Sequence, residues 1–171
     1  MLASKRRPVH ALTPSHEHYL RAIWAVHSRA GYARVVDVAR ELGVSHATLS
    51  VGIKGLEHGG LVRHDARRFL ILTPKGERIA REVHHRFRVV QTFLHDILGI
   101  DAGLAEREAC LLEHDVSDQT TDRLVDLLRL LQDDPQAKSV VQERLAHYHR
   151  SCATGAPCAT CGLSCVTTVT S

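Results

Sequence analysis

The 171-residue chain is predicted to be mainly α: a winged helix-turn-helix followed by an all-helical segment. Two short helices flanking a glycine turn, a brief strand pair right after them, and a long apolar repeat at helical spacing carry that expectation. The predicted boundaries are 1–76 for the winged helix-turn-helix, 77–150 for the helical part and 151–171 for a cysteine-rich tail.

Thr13, Pro14 and Ser15 form a cap and helix start, and Leu20, Ile23 and Trp24 follow at helical spacing. The first helix is therefore expected over about Ser15 to Arg29. Gly31 breaks it. Val35, Val38, Ala39 and Leu42 then mark one face of a short second helix before Gly43. Ser45 is a suitable cap for a third, whose stripe Leu49, Ile53 and Leu56 ends at Gly59-Gly60.

Leu61 to Arg63 and Phe69 to Leu72 read as two strands around the polar turn His64 to Arg68, and Thr73-Pro74-Lys75-Gly76 is expected to close the unit. Ile79, Val83, Phe87, Val90, Leu94 and Ile97 are spaced by four, four, three, four and three, which predicts a long fourth helix ending at Gly99. Asp101 begins a helix expected to carry Cys110 to His114. Ser117 caps another, with Leu124, Leu127, Leu128 and Leu131 on one face, and Pro135 is expected to stop it. A last amphipathic stretch runs from Val140 to Tyr148.

Net charge is only +3, and its distribution says more than its total. Arg63, Arg67, Arg68, Lys75, Arg78 and Arg81 lie in the first hundred residues, while acidic residues concentrate from Asp101 to Asp134. No run of about 18 apolar residues occurs, so a soluble, cytoplasmic protein without membrane contact is expected. Gly-rich phosphate loops, paired carboxylates and nucleophile motifs are not found, so neither an enzyme nor a small organic substrate is expected.

The second helix of a helix-turn-helix meets the major groove, and here it offers Ser45, His46, Thr48, Ser50 and Lys54. Arg67 and Arg68 at the tip of the hairpin can reach the DNA backbone or minor groove beside it. Double-stranded operator DNA is the expected partner.

Thirteen histidines and five cysteines point to metal or redox chemistry in a reducing compartment. Cys110, Glu113 and His114 stand at i, i+3 and i+4, so on one helix they share a face and can converge on one ion. Spacing alone equally allows a small buried thiol beside a capping pair. Cys152, Cys158, Cys161 and Cys165 form C-x5-C-x2-C-x3-C, a spacing open to an iron–sulfur cluster, to Zn(II), or to an unoccupied tail.

His18-Tyr19-Leu20-Arg21-Ala22-Ile23-Trp24, the helix pair ending in Gly59-Gly60-Leu61-Val62, Leu72-Thr73-Pro74-Lys75-Gly76, and Cys110-Leu111-Leu112-Glu113-His114 with Ser117-Asp118 together resemble the diphtheria-toxin-repressor family. That family comprises iron-dependent repressors and manganese-transport regulators, and the resemblance covers about Leu12 to Asp134. It implies a homodimer that favours its DNA-binding state when loaded with divalent metal. It also implies the short form, without an SH3-like domain.

Cys110, Glu113 and His114 match the family's ligands on its fifth helix. His18 stands at the helix-one ligand position, where iron sensors have Met and manganese sensors Asp. Arg21 replaces a carboxylate of the manganese sensors, and Phe87, Gln91 and Glu106 replace the polar residues of a second family site. One site is therefore expected, with His84 and His85 as candidate replacements for the missing ligand. A His, Cys, Glu, His set suits Fe(II) first and Zn(II) or Co(II) next, and Mn(II) less. The competing reading is a metal-binding or iron–sulfur accessory protein of a metal transporter that uses the winged helix for protein contact.

Overall fold

The computed structural model describes residues 12–148. Helix α1 (Pro14–Ala30) starts as its composition dictates: the Thr13 hydroxyl accepts from the His16 amide, and Pro14 occupies the first turn, where its missing N–H costs nothing. Gly31 ends it at φ 76°, a left-handed conformation that glycine adopts without strain. Helix α2 (Val35–Leu42) stops at Gly43 in the same way. Ser45 then caps α3 (His46–His58), accepting from the Thr48 amide at 3.0 Å.

Strands β1 (Val62–His64) and β2 (Leu70–Leu72) pair antiparallel, Val62 opposite Leu72 and His64 opposite Leu70. The expected strand starts at Leu61 and Phe69 are both one residue early. The Leu61 amide is taken by the Leu56 carbonyl in closing α3, and the Phe69 amide donates to Oδ1 of Asp65 inside the turn. Asp65 clamps this turn by also accepting from the Arg67 amide. Arg68 sits there at φ 62°.

Thr73 to Gly76 is not a closing turn but the start of α4 (Pro74–Thr92). The Thr73 hydroxyl accepts from the Gly76 amide at 3.1 Å and donates to the Gly60 carbonyl at 2.8 Å, so one side chain caps α4 and ties it to the end of α3. A Cβ on Gly76 would lie 2.0 Å from the Leu61 carbonyl oxygen, which makes the absence of a side chain a packing requirement. A single π-helical turn, Phe93–Ile97, extends α4.

Helix α5 (Ala102–Leu112) ends before Glu113 and His114, contrary to the expected helix through His114. The Asp115 and Val116 amides both fold back onto the Leu112 carbonyl, which converts the last turn into a tight loop. Ser117 caps α6 (Asp118–Asp133), whose buried face is Leu128 and Leu131 with Leu124 beside them; Leu127 is exposed. Pro135 lies just beyond the end of α6, as expected of a stop, and also opens α7 (Pro135–Tyr148), which Asp134 caps by accepting from the Ala137 amide.

The chain forms two compact units. Among the described residues, one comprises residues 12–88 with Cys110–Val116, and the other comprises Val89–Ala109 and residues 117–148. In the first, Leu20, Ile23, Leu49, Ile53, Leu56 and Leu70 are almost fully enclosed; truncating such a side chain to Ala costs about 2–5 kcal/mol. In the second, Val89, Ile97, Leu128 and Leu131 form the core, with Phe93, Ala137 and Val141 against it. Among the described residues no helix is long and apolar enough to cross a membrane.

Candidate metal centre and nucleic-acid interface

The first unit brings His18 of α1 against Cys110 in the last turn of α5 and Glu113 in the loop beyond it. A ring nitrogen of His18, the Cys110 sulfur and a Glu113 oxygen lie within 4.8 Å of one another, and His18 Nε2 touches Cys110 Sγ. These three donors can close on one ion.

His114, the fourth expected donor, stands one carboxylate away. Its Nε2 lies 3.5 Å from Glu113 Oε1, its Nδ1 is 2.9 Å from Glu17 Oε2, and its ring meets that of His18 edge-on at 5.7 Å. Because a carboxylate accepts, Nδ1 donates to Glu17, and Nε2 is the ring atom turned toward the cluster.

Glu113 is the unusual member. Its side chain is 0% exposed, yet neither carboxylate oxygen has a hydrogen-bond partner. Arg21 Nε lies 3.2 Å from Oε1, an ion pair whose N–H is not aimed for a hydrogen bond. Burial pushes the Glu113 carboxyl up to about 7, against the downward pull of Arg21 and Arg86. Burial, then the charges of Arg21 and His114, hold His18 down to about 4, so its ring is neutral and able to donate a lone pair near neutral pH. A buried carboxylate that makes ion-pair contacts but no hydrogen bond, beside an imidazole and a thiol, fits a divalent transition ion.

Glu17 and Arg86 complete the surroundings, and neither was expected from the sequence. Arg86 Nε donates to the Glu113 carbonyl at 2.9 Å, and its Nη2 is 3.6 Å from Glu17 Oε2. The only sequence trace of Glu17 is its place in His16-Glu17-His18, where an acid in a first helical turn reads as a dipole partner. His84 does not join the cluster. It packs on Trp24 at 4.5 Å, and burial lowers its pKa, so apolar stacking is where its ring goes; His85 is exposed.

A second surface lies between α3 and the hairpin. A groove there is lined by His46, Ser50 and Lys54 from α3, and by Arg67 and Arg68 from the turn. Ser45 and Thr48 are exposed at the head of α3, bonded to each other at 2.8 Å, outside the groove lining. Arg34, which the sequence reading overlooked, joins this lining; its guanidinium lies 5.0 Å from the Tyr32 ring and 5.6 Å from that of Phe69. The cysteines Cys152, Cys158, Cys161 and Cys165 lie outside the described residues.

A winged helix with a cationic groove and a chelating cluster anchored on its first helix defines a metal-responsive DNA-binding regulator. Residues 11–70 match the N-terminal DNA binding domain of the iron dependent repressors, and residues 73–141 match their metal binding and dimerisation domain. The chain belongs to the iron-dependent repressor family. The HTH-type transcriptional regulator MntR of Lysinibacillus sphaericus is 30% identical over 123 residues, covering 72% of this chain and 88% of its own. The Bacillus subtilis protein of that name is 28% identical over 141 residues, covering 81% and 99%.

Among solved structures, the manganese regulator SloR has a TM-score of 0.62 at 31% identity, covering 69% of this chain and 55% of its own. IdeR of T. acidophilum has a TM-score of 0.61 at 25% identity, covering 70% and 55%. The chain thus matches only about half the length of those two structures. The curated relatives are transcriptional regulators, not enzymes.

Proposed function

We propose that the protein is a metal-dependent repressor that binds a palindromic operator as a homodimer when His18, Cys110, Glu113 and His114 hold a divalent ion, and that it controls metal-homeostasis genes without catalysis of its own. The observation that carries this reading is Glu113: a fully buried carboxylate with no hydrogen bond, facing a thiol and a neutral imidazole.

A bound ion supplies the positive centre that these donors share. His18 contributes from α1, within the DNA-reading unit, while Cys110 and Glu113 contribute from the segment through which the chain returns to the second unit. Holding both ends favours the DNA-competent arrangement by stabilising it over its alternatives. The family's dimerisation region matches residues 73–141, and exposed Leu104, Leu127 and Leu130 supply apolar surface in that part of the chain.

On the DNA side, α3 presents His46, Ser50 and Lys54 to the major groove, with Ser45 and Thr48 at its head. Arg67, Arg68 and Arg34 reach phosphates. Fe(II) is the first choice of metal and Zn(II) the second, because one of the donors is a thiolate; the manganese regulators among the relatives keep Mn(II) as the alternative outcome. The tail cysteines Cys152, Cys158, Cys161 and Cys165 are proposed as a second centre, iron–sulfur or Zn(II), on their spacing alone.

Anaerobic titration of labelled duplex with protein and each metal tests the main reading. Binding should require metal, select one sequence, and be lost in Cys110→Ala and in His18→Ala with the fold retained. Metal-independent binding by Cys110→Ala at wild-type affinity would sink it.

A further inference from the structure

Arg21 stands one turn after His18 on α1, inside the cluster. Its Nη2 donates to Cys110 Sγ at 3.2 Å, its Nε lies 3.2 Å from Glu113 Oε1, and the guanidinium lies 4.2 Å from the centre of the Phe87 ring. The side chain is only 16% exposed. One permanently charged group therefore touches two of the three converging donors, and an aromatic face holds it there.

Such a group has two opposite effects on an ion. It places a positive charge directly against the thiol and the carboxyl group, the two donors whose negative forms would hold the metal. It also repels a divalent cation at close range, where the surroundings screen poorly.

We propose that Arg21 is a specificity-determining residue: a tethered cation that competes with the incoming metal for Cys110 and Glu113, so that only ions with strong affinity for thiolate and imidazole displace it. Ions that rely on oxygen donors, such as Mn(II) or Mg(II), gain too little from the thiolate to do so. This inference rests on the metal-binding reading above and adds to it which residue sets the selection.

The test uses the full-length chain and measures Co(II) binding by its thiolate charge-transfer band and Mn(II) binding by its paramagnetic resonance signal. Arg21→Met removes the charge but keeps an apolar side chain against Phe87, and Arg21→Lys keeps the charge. Arg21→Met should bind Co(II) at least about tenfold more tightly and gain more for Mn(II), narrowing the preference, while Arg21→Lys stays near the wild type.

Equal or weaker Co(II) binding by a folded Arg21→Met, or an Arg21→Lys variant that behaves like Arg21→Met, would overturn the proposal. If Arg21→Met does not fold, Arg21→Gln carries the same expectation and the same refutation. A wild type that binds no metal defeats the metal reading itself, a result distinct from unchanged affinity in the variants.

Discussion

The Nδ1–H of His114 donates to Oε2 of Glu17 at 2.9 Å, joining the loop after α5 to the first turn of α1 across 97 positions of chain. That bond fixes which nitrogen of the imidazole faces the chelating cluster. Outer carboxylates of this kind are typically worth about 10–100-fold in metal affinity.

Glu17→Gln should therefore weaken Co(II) or Zn(II) binding by about one to two orders of magnitude without unfolding the chain. Competition against a calibrated chelator reads this directly. Wild-type affinity in Glu17→Gln would mean that His114 is oriented by something else or is not a ligand.

Glu113 makes the metal-free protein pH-sensitive. Its folded carboxyl is raised from 4.5 to about 7, so its contribution is fully present below the unfolded value and is lost as pH rises through about 7. His18 runs the other way. Lowered from 6.5 to about 4, it contributes above 6.5, and that contribution is lost as pH falls through about 4. In chelator, Glu113→Gln should therefore be more stable than wild type at pH 8, by up to about 3 kcal/mol, and should lose that advantage near pH 4.5. Urea melts at the two pH values measure it, and a pH-independent difference would count against a buried ionising carboxylate.

The groove cations should act as phosphate contacts. Replacing both Arg67 and Arg68 by Ala should lower the slope of log affinity against log salt by about 2. Arg34→Ala should lower it by about 1. None of these should relax sequence preference, whereas His46→Ala and Lys54→Ala test base reading. Fluorescence anisotropy across a salt series separates the two kinds of contact. An unchanged slope would remove the wing from the interface.

Four cysteines within fourteen tail residues are an oxidation liability unless a centre holds them. Anaerobic reconstitution with iron and sulfide should give a brown protein, and Cys158→Ser with Cys161→Ser should abolish the colour while leaving Co(II) binding at Cys110 intact. A colourless protein that takes up an additional equivalent of Zn(II) points to a zinc clip, and one that takes up neither refutes a tail centre.

Much of the first unit was legible because its signals are local. Caps at Thr13 and Ser45 and the left-handed glycines at 31 and 43 decide their helix ends through neighbouring amides. Pro74 was misread because a residue that closes one unit also suits the first turn of the next helix, which Thr73 caps; Pro135 follows the end of α6 as expected but also opens α7, capped by Asp134, five residues before the expected stretch from Val140. His18, Cys110 and Glu113 were found by spacing and resemblance. The positions of Glu17, Arg86 and Arg34 depend on packing between elements far apart in sequence, for which no periodicity exists.

Arg68 holds a left-handed backbone at the tip of the wing, a conformation that costs a side-chain-bearing residue about 1–2 kcal/mol relative to glycine. The turn tolerates it because Asp65 accepts two of its amides. Selection for thermal stability alone would replace Arg68 with Gly, gaining melting temperature and discarding a cation beside the groove. Arg68→Gly should accordingly melt higher and bind DNA more weakly, so heat resistance and operator occupancy would move in opposite directions at this one position.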